Sequence, residues 1–63
     1  METKELIQAI INYRGRNGIT QEEFAKKVGI TPANLCRIET GKTKKVQPIT
    51  LYKIMSVLNS EVL

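Results

Sequence analysis

Apolar residues recur three and four apart in four separate stretches of this chain. Leu6, Ile10 and Tyr13 mark the first, Phe24, Ala25 and Val28 the second, Leu35 and Ile38 the third, and Leu51, Ile54, Met55 and Leu58 the fourth. That spacing is the 3.6-residue period of a helix with one face turned inward. The first helix is predicted over about Thr3 to Tyr13, breaking in Gly15-Arg-Asn-Gly18, a turn-rich stretch with two glycines and an asparagine. The second covers about Gln21 to Lys27. Thr20 is its N-cap, and Glu23, three residues on, can complete a reciprocal capping box. Gly29 stands where a left-handed residue is needed to stop the helix. Thr31 then Pro32 supplies an N-cap followed by the position at which proline favours a helix, so the third runs from about Pro32 to Thr40 until Gly41 ends it. After the loop Gly41 to Gln47, Pro48 opens a fourth helix that Asn59 closes as a left-handed cap. Ser60 to Leu63 is too short to define another element.

The polar positions add a second layer. Glu22, Glu23, Lys26 and Lys27 occupy the outer face of the second helix, while Pro32, Ala33, Asn34, Arg37 and Thr40 face solvent on the third. Two short helices across a tight turn, the second presenting side chains outward, make a device for reading DNA. The stretch from Gln21 resembles the helix-turn-helix of lambda-repressor-like and Cro-like regulators. That motif asks for apolar residues at Phe24, Val28, Ile30, Leu35 and Ile38, a small residue at Ala25 where the helices cross, and glycine at Gly29; every position is filled. The resemblance extends backward through Leu6, Ile10, Tyr13 and Arg14 and forward through Gly41, Lys42 and Leu51 to Leu58, leaving out only the last five residues. An arbitrary helical hairpin would predict the apolar spacing, but not Thr20-Gln21, Ala25, Gly29 and Arg37-Ile-Glu39-x-Gly41 together.

The resemblance implies an all-α, compact fold of four helices, or five, forming a single domain over residues 1–63 with the helix-turn-helix at 20–40. It further implies a sequence-specific regulator of bacterial or phage type that binds double-stranded DNA, acting as a repressor by occupying an operator.

Composition agrees with this and excludes other classes. Sixty-three residues permit one small core, burying only about 60% of the unfolded surface. No run of about twenty apolar residues could span a bilayer, and the N-terminus lacks the basic start and apolar centre of a signal peptide, so a cytoplasmic protein with no membrane partner is expected. A lone cysteine, Cys36, and no histidine leave no internal disulfide and no credible zinc site. No cofactor is expected. The net charge is +4, with a pI near 9.5, which suits a polyanion. Arg37, Lys42, Lys44, Lys45 and Lys53 face one acid, Glu39, between positions 37 and 53, whereas Glu2, Glu5, Glu22 and Glu23 lie in the first half.

With the third helix in the major groove, Asn34 and Arg37 are the base readers, asparagine pairing two-point with adenine and arginine with guanine, each worth about 1–3 kcal/mol of discrimination. A purely structural reading would have Asn34 strengthen the first turn and Arg37 pair with a nearby acid. Pro32 and Ala33 stand where phage relatives often carry hydrogen-bonding side chains, and offer only apolar contact, as to a thymine methyl. Gln21 and Thr31 each begin a helix, where amides and the positive end of the dipole hold phosphate. Gly41-Lys-Thr-Lys-Lys45 resembles the loop with which phage repressors grip the DNA backbone, giving Thr40, Lys42, Thr43, Lys44 and Lys45 as further phosphate contacts; a solvated lysine loop is the plainer alternative. Relative to the commonest form of the family, one residue is inserted between Lys45 and Thr50. The family also implies that Arg14 and Glu39 form a largely buried ion pair tying the first helix to the third. Cys36 reads as a small helical filler rather than a redox sensor, having no base or resolving cysteine.

Ile7 and Ile11 add a second apolar row on the first helix, where relatives carry polar groups. Either Val62 and Leu63 cover that row internally, or Ile7, Ile11, Val57, Val62 and Leu63 form a subunit interface. Regulators of this type bind as two-fold dimers across half-sites about 34 Å apart, so a homodimer, at least on DNA, and a pseudo-palindromic operator are expected. No small-molecule effector is evident. A different class, an antitoxin-like module whose basic face meets an acidic protein, is the competing function. An enzyme is disfavoured, because the chain has no histidine, no aspartate and no phosphate-binding glycine loop.

Overall fold

The computed structural model describes residues 3–60. It is all-α, with four helices: α1 Thr3–Asn17, α2 Gln21–Val28, α3 Pro32–Glu39 and α4 Pro48–Asn59. Each of α2 and α3 is eight residues long, too short to persist alone in water, so their stability comes from packing and from their ends. The α2 start is the expected capping box: Glu23 N–H donates to Thr20 Oγ1 at 3.1 Å and Thr20 N–H donates to the Glu23 carboxylate at 2.8 Å. At its other end Gly29 takes φ +92°, open to L-residues only with strain, and the Ile30 N–H reaches back to the Ala25 carbonyl at 3.0 Å. That bond between C″ and C3 closes the helix and aims the chain into α3.

The core is Leu6, Ile10 and Tyr13 from α1, Phe24, Ala25 and Val28 from α2, Leu35 and Ile38 from α3, and Ile54 from α4, all buried. The Tyr13 and Phe24 rings meet edge to face with centroids 5.4 Å apart, a favoured aromatic geometry. Helix α2 packs on both α3 and α4, and α1 packs on the same two helices. Among the described residues, no helix is long and apolar enough to cross a membrane.

Two sequence expectations are corrected. Helix α1 does not break at Gly15 but runs four residues past Tyr13, to Asn17. The turn is confined to Gly18, at φ +60°, with Ile19 N–H bonded to the Arg14 carbonyl at 3.1 Å and Asn17 Nδ2 donating to the Tyr13 carbonyl at 2.8 Å. A single glycine in an exposed turn costs a helix only about 1 kcal/mol, and Arg14 and Arg16 in the last turn complement its dipole. Asn59 is not left-handed either, since no non-glycine residue among those described has positive φ. Instead α4 ends at Ser60 in the right-handed region, its hydroxyl donating to the Val57 carbonyl at 2.7 Å. A fifth helix, and the contribution expected of Val62 and Leu63, fall outside the described residues.

Candidate nucleic-acid interface

The chemistry collects around α3. Its buried residues are Leu35 and Ile38; Pro32, Ala33, Cys36, Arg37 and Thr40 are exposed. These positions follow the period that puts Leu35 and Ile38 inward, so the outward face is the complement of the core face. Cys36, expected as a filler, lies on that outward face. The same arithmetic would have placed it there from the sequence, one residue after a core leucine.

Asn34 is placed differently from Arg37. It is half-buried and lines a crevice of about 230 Å³ with Ile38, Thr43, Lys45, Val46, Gln47 and Thr50. The two expected base readers therefore face different surroundings, Arg37 open solvent and Asn34 the wall of the loop. The inserted residue leaves the register of Val46 and Gln47 on phosphate open in the sequence; here both line the crevice, and Thr50, which the sequence did not single out, joins them through the path of the loop.

Both helix starts leave donors available. Thr31 Oγ1 accepts from Asn34 N–H at 3.1 Å, so its own hydroxyl hydrogen stays free to donate. Gln21, half-buried at the first position of α2, precedes the first intrahelical bond, which runs from Phe24 N–H to the Thr20 carbonyl; its amide is thus without a helical partner. Thr40 is less suited to a phosphate, because its hydroxyl already donates to the Cys36 carbonyl at 2.8 Å.

Beyond α3 the chain folds back on itself. Gly41 has φ +79°, its N–H bonds the Ile38 carbonyl, and both Lys42 N–H and Thr43 N–H bond the Arg37 carbonyl at 2.9 and 3.1 Å. Lys42, Lys44 and Lys45 are exposed on this loop and Thr43 is half-buried. A bond from Thr3 Oγ1 to the Lys44 carbonyl at 3.3 Å joins the loop to the start of α1. Basic side chains are thus held at the C-terminal end of α3 on an anchored backbone.

Arg14 and Glu39 meet at 2.6 Å between Nη1 and Oε1, with side-chain exposures of 25% and 9%. They join α1 to the last residue of α3 across 25 positions of sequence. The contact is single-pronged: Arg14 Nε and Glu39 Oε2 are both buried with no hydrogen-bond partner.

Two short helices joined at Gly29, an outward α3 and a basic loop behind it form one recognisable unit. The family model described as helix-turn-helix matches residues 10–62. The chain belongs to the helix-turn-helix family. It is also 38% identical over 53 residues to a protein of Archaeoglobus fulgidus described as an uncharacterized HTH-type transcriptional regulator, the match covering 84% of this chain and 74% of that one. No solved structure matches it significantly. Within the helix-turn-helix the proposed base-facing and phosphate-facing residues lie on α3, at the two helix starts and on the 41–45 loop. The proposed interface residues lie elsewhere: Ile7 on α1 and Val57 on α4 are half-buried, and Ile11 is 44% exposed.

Proposed function

We propose that this helix-turn-helix protein is a transcriptional regulator that binds double-stranded DNA in a sequence-specific manner, lays α3 in the major groove and represses by occupying its operator. The observation that carries this reading is the exposed α3 face ending in a basic loop, in a chain of net charge +4. Arg37 is the principal base reader, suited to a guanine; Pro32 and Ala33 supply apolar contact; and Asn34 reads a base only where its side chain leaves the loop crevice. Gln21, Thr31, Lys42, Thr43, Lys44 and Lys45 hold phosphates, and Thr40 joins them if its hydroxyl gives up the helix carbonyl. Arg14 and Glu39 serve the fold rather than the DNA. The regulator works as a homodimer on a pseudo-palindromic operator, with Ile7, Ile11 and Val57 as the described part of its two-fold contact.

Selection of bound duplexes from a random pool, followed by salt titration of the winner, tests this. A selected sequence should bind with affinity falling steeply with salt; Arg37→Ala should relax base preference, and Lys44→Ala should weaken all sequences alike. Equal affinity for every duplex would remove sequence-specific regulation and favour the reading of the basic face as a surface for an acidic protein.

A further inference from the structure

Among the described residues, α4 carries a small apolar projection beside a lysine, and an apolar groove beside α2 has two acids on its edge. The projection is on α4. Tyr52 is 70% exposed and Ile49 60%, and Lys53, also exposed, completes the i, i+3, i+4 set that places all three on one face. Tyr52 and Ile49 thus form a small exposed apolar patch. The groove lies between α2 and the start of α3. It encloses about 540 Å³, with Ile30 and Pro32 as its apolar part and Glu22, Glu23 and Lys26 on α2 along its edge. It is open to solvent along its length, with room for one aromatic ring to lie in it. Glu22 and Glu23 are the only adjacent acids in the sequence, and with Lys26 beside them they leave the edge of the groove net acidic.

We propose that the groove receives Tyr52 and Ile49 from a second copy of this chain, with Lys53 of that copy set against the Glu22 edge. The fit is of unlike surfaces. Pairing projection with projection would bring two lysines and no acid into one small contact, and groove with groove would leave a void. The contact is therefore head to tail and does not close on itself, in contrast to a two-fold interface. Two side chains bury far less than the roughly 1,200 Å² of a standard interface, which puts dissociation on the order of 1 mM for free molecules. The groove adjoins Thr31 and Pro32 at the N-terminus of α3, whereas the projection follows the loop that leaves the C-terminus of α3. If the chain binds DNA as proposed above, Thr31 and Pro32 serve both surfaces, and DNA competes with this contact for the start of α3. The contact itself does not depend on DNA.

The test is accordingly made without DNA, by sedimentation equilibrium and amide chemical shifts from about 0.05 to about 2 mM, a range that brackets a contact of this size. The wild type should give an average mass that rises beyond the dimer, with shifts at Ile30 and Tyr52. Tyr52→Ser lacks a usable projection and Glu22→Arg a usable groove, so each alone should stay monomeric. Mixed, they should form a 1:1 dimer that goes no further, because the intact groove of the first accepts the intact projection of the second. Both residues are exposed, and circular dichroism checks that both variants fold. A wild type that stays monomeric, a wild type that stops at dimer, variants that associate like the wild type, or a mixture that stays monomeric would each overturn the proposal. Failure to bind any DNA would instead count against the proposed function and leave this contact standing.

Discussion

The α2–α3 hairpin and α4 use their apolar residues differently. The sixteen residues of the two short helices place five side chains in the core, Phe24, Ala25, Val28, Leu35 and Ile38. The twelve of α4 are more apolar on average yet fully bury only Ile54, with Leu51, Met55, Val57 and Leu58 partly covered and Ile49 and Tyr52 outside. Their ends differ in the same way. Thr20 and Thr31 each cap with a side chain, whereas Gln47 at the start of α4 makes no side-chain cap bond. The hairpin caps both of its helix starts and turns its apolar residues into the shared core, and α4 carries apolar surface beyond what that core uses.

The largest expected effect breaks the hairpin. Phe24 is fully buried, and Phe24→Ala should cost roughly 3–5 kcal/mol in urea denaturation. A domain of this size has about 3–9 kcal/mol in all at typical values per residue, so much of the population should unfold. Tyr52→Ser, which removes an equally large ring from α4, should stay within about 0.5 kcal/mol in the monomer. Similar losses in both would show that the outer face of α4 is covered within its own chain.

Next comes the tie that holds the hairpin to α1. Arg14→Ala leaves Glu39 as a charge only 9% exposed and should cost about 2–4 kcal/mol, somewhat below the fully buried case because the arginine retains some water. Replacing both, Arg14→Met with Glu39→Leu, should recover most of that loss, since it also removes the two orphaned polar atoms. A thermal melt on the four members of the cycle measures the coupling. Unchanged stability with lost DNA binding would assign Arg14 to the DNA instead.

These contrasts also explain what was legible in the sequence. Features set by neighbouring residues were readable: the capping box of Thr20 and Glu23, the left-handed Gly29, the Thr31-Pro32 start, and the core stripe that fixes which side of α3 faces out. The end of α1 was not, because Gly15 and Gly18 carry the same local signal and only the bonds from Ile19 and Asn17 decide between them. Asn59 carried a left-handed signal as well, but Ser60 closes the helix with its own hydroxyl. Asn34 was legible as a residue of α3 but not as a wall of the loop crevice, because the path of residues 43–47 is a tertiary matter. Ile49 and Tyr52 were not legible as a surface, because they fall outside the stripe that marks the core of α4 and make no four-residue row of their own as Ile7 and Ile11 do.

Smaller effects come from the caps. Thr31→Ala should destabilise by about 1 kcal/mol, and Gln47→Ser should stabilise by about 0.5–1 kcal/mol by giving α4 the acceptor it lacks. In a domain this small each should move Tm by about 4–8 °C per kcal/mol, in opposite directions. No gain from Gln47→Ser would mean that the first amides of α4 are already satisfied.

The smallest effect separates the two regions by pH. Glu23 is held below the ordinary carboxyl value of 4.5, first by the hydrogen bond from the Thr20 amide and then by that with the Thr20 hydroxyl. A depressed folded value means that the unfolded chain takes up the proton first on acidification. The stabilisation is therefore complete above the unfolded value and is lost as pH falls through the folded one, below 4.5. Glutamine keeps an oxygen for the Thr20 amide but does not titrate, so Glu23→Gln should flatten the dependence of stability on pH below 4.5. Amide exchange gives the regional readout. Protection at Thr20 and Glu23 should fall with acid, while that at Leu51, whose N–H bonds the Gln47 carbonyl at 2.9 Å, should follow only the global stability, because no carboxylate caps α4. Parallel loss at both helix starts in the wild type and in Glu23→Gln would show that acid acts on the whole domain rather than on the α2 cap.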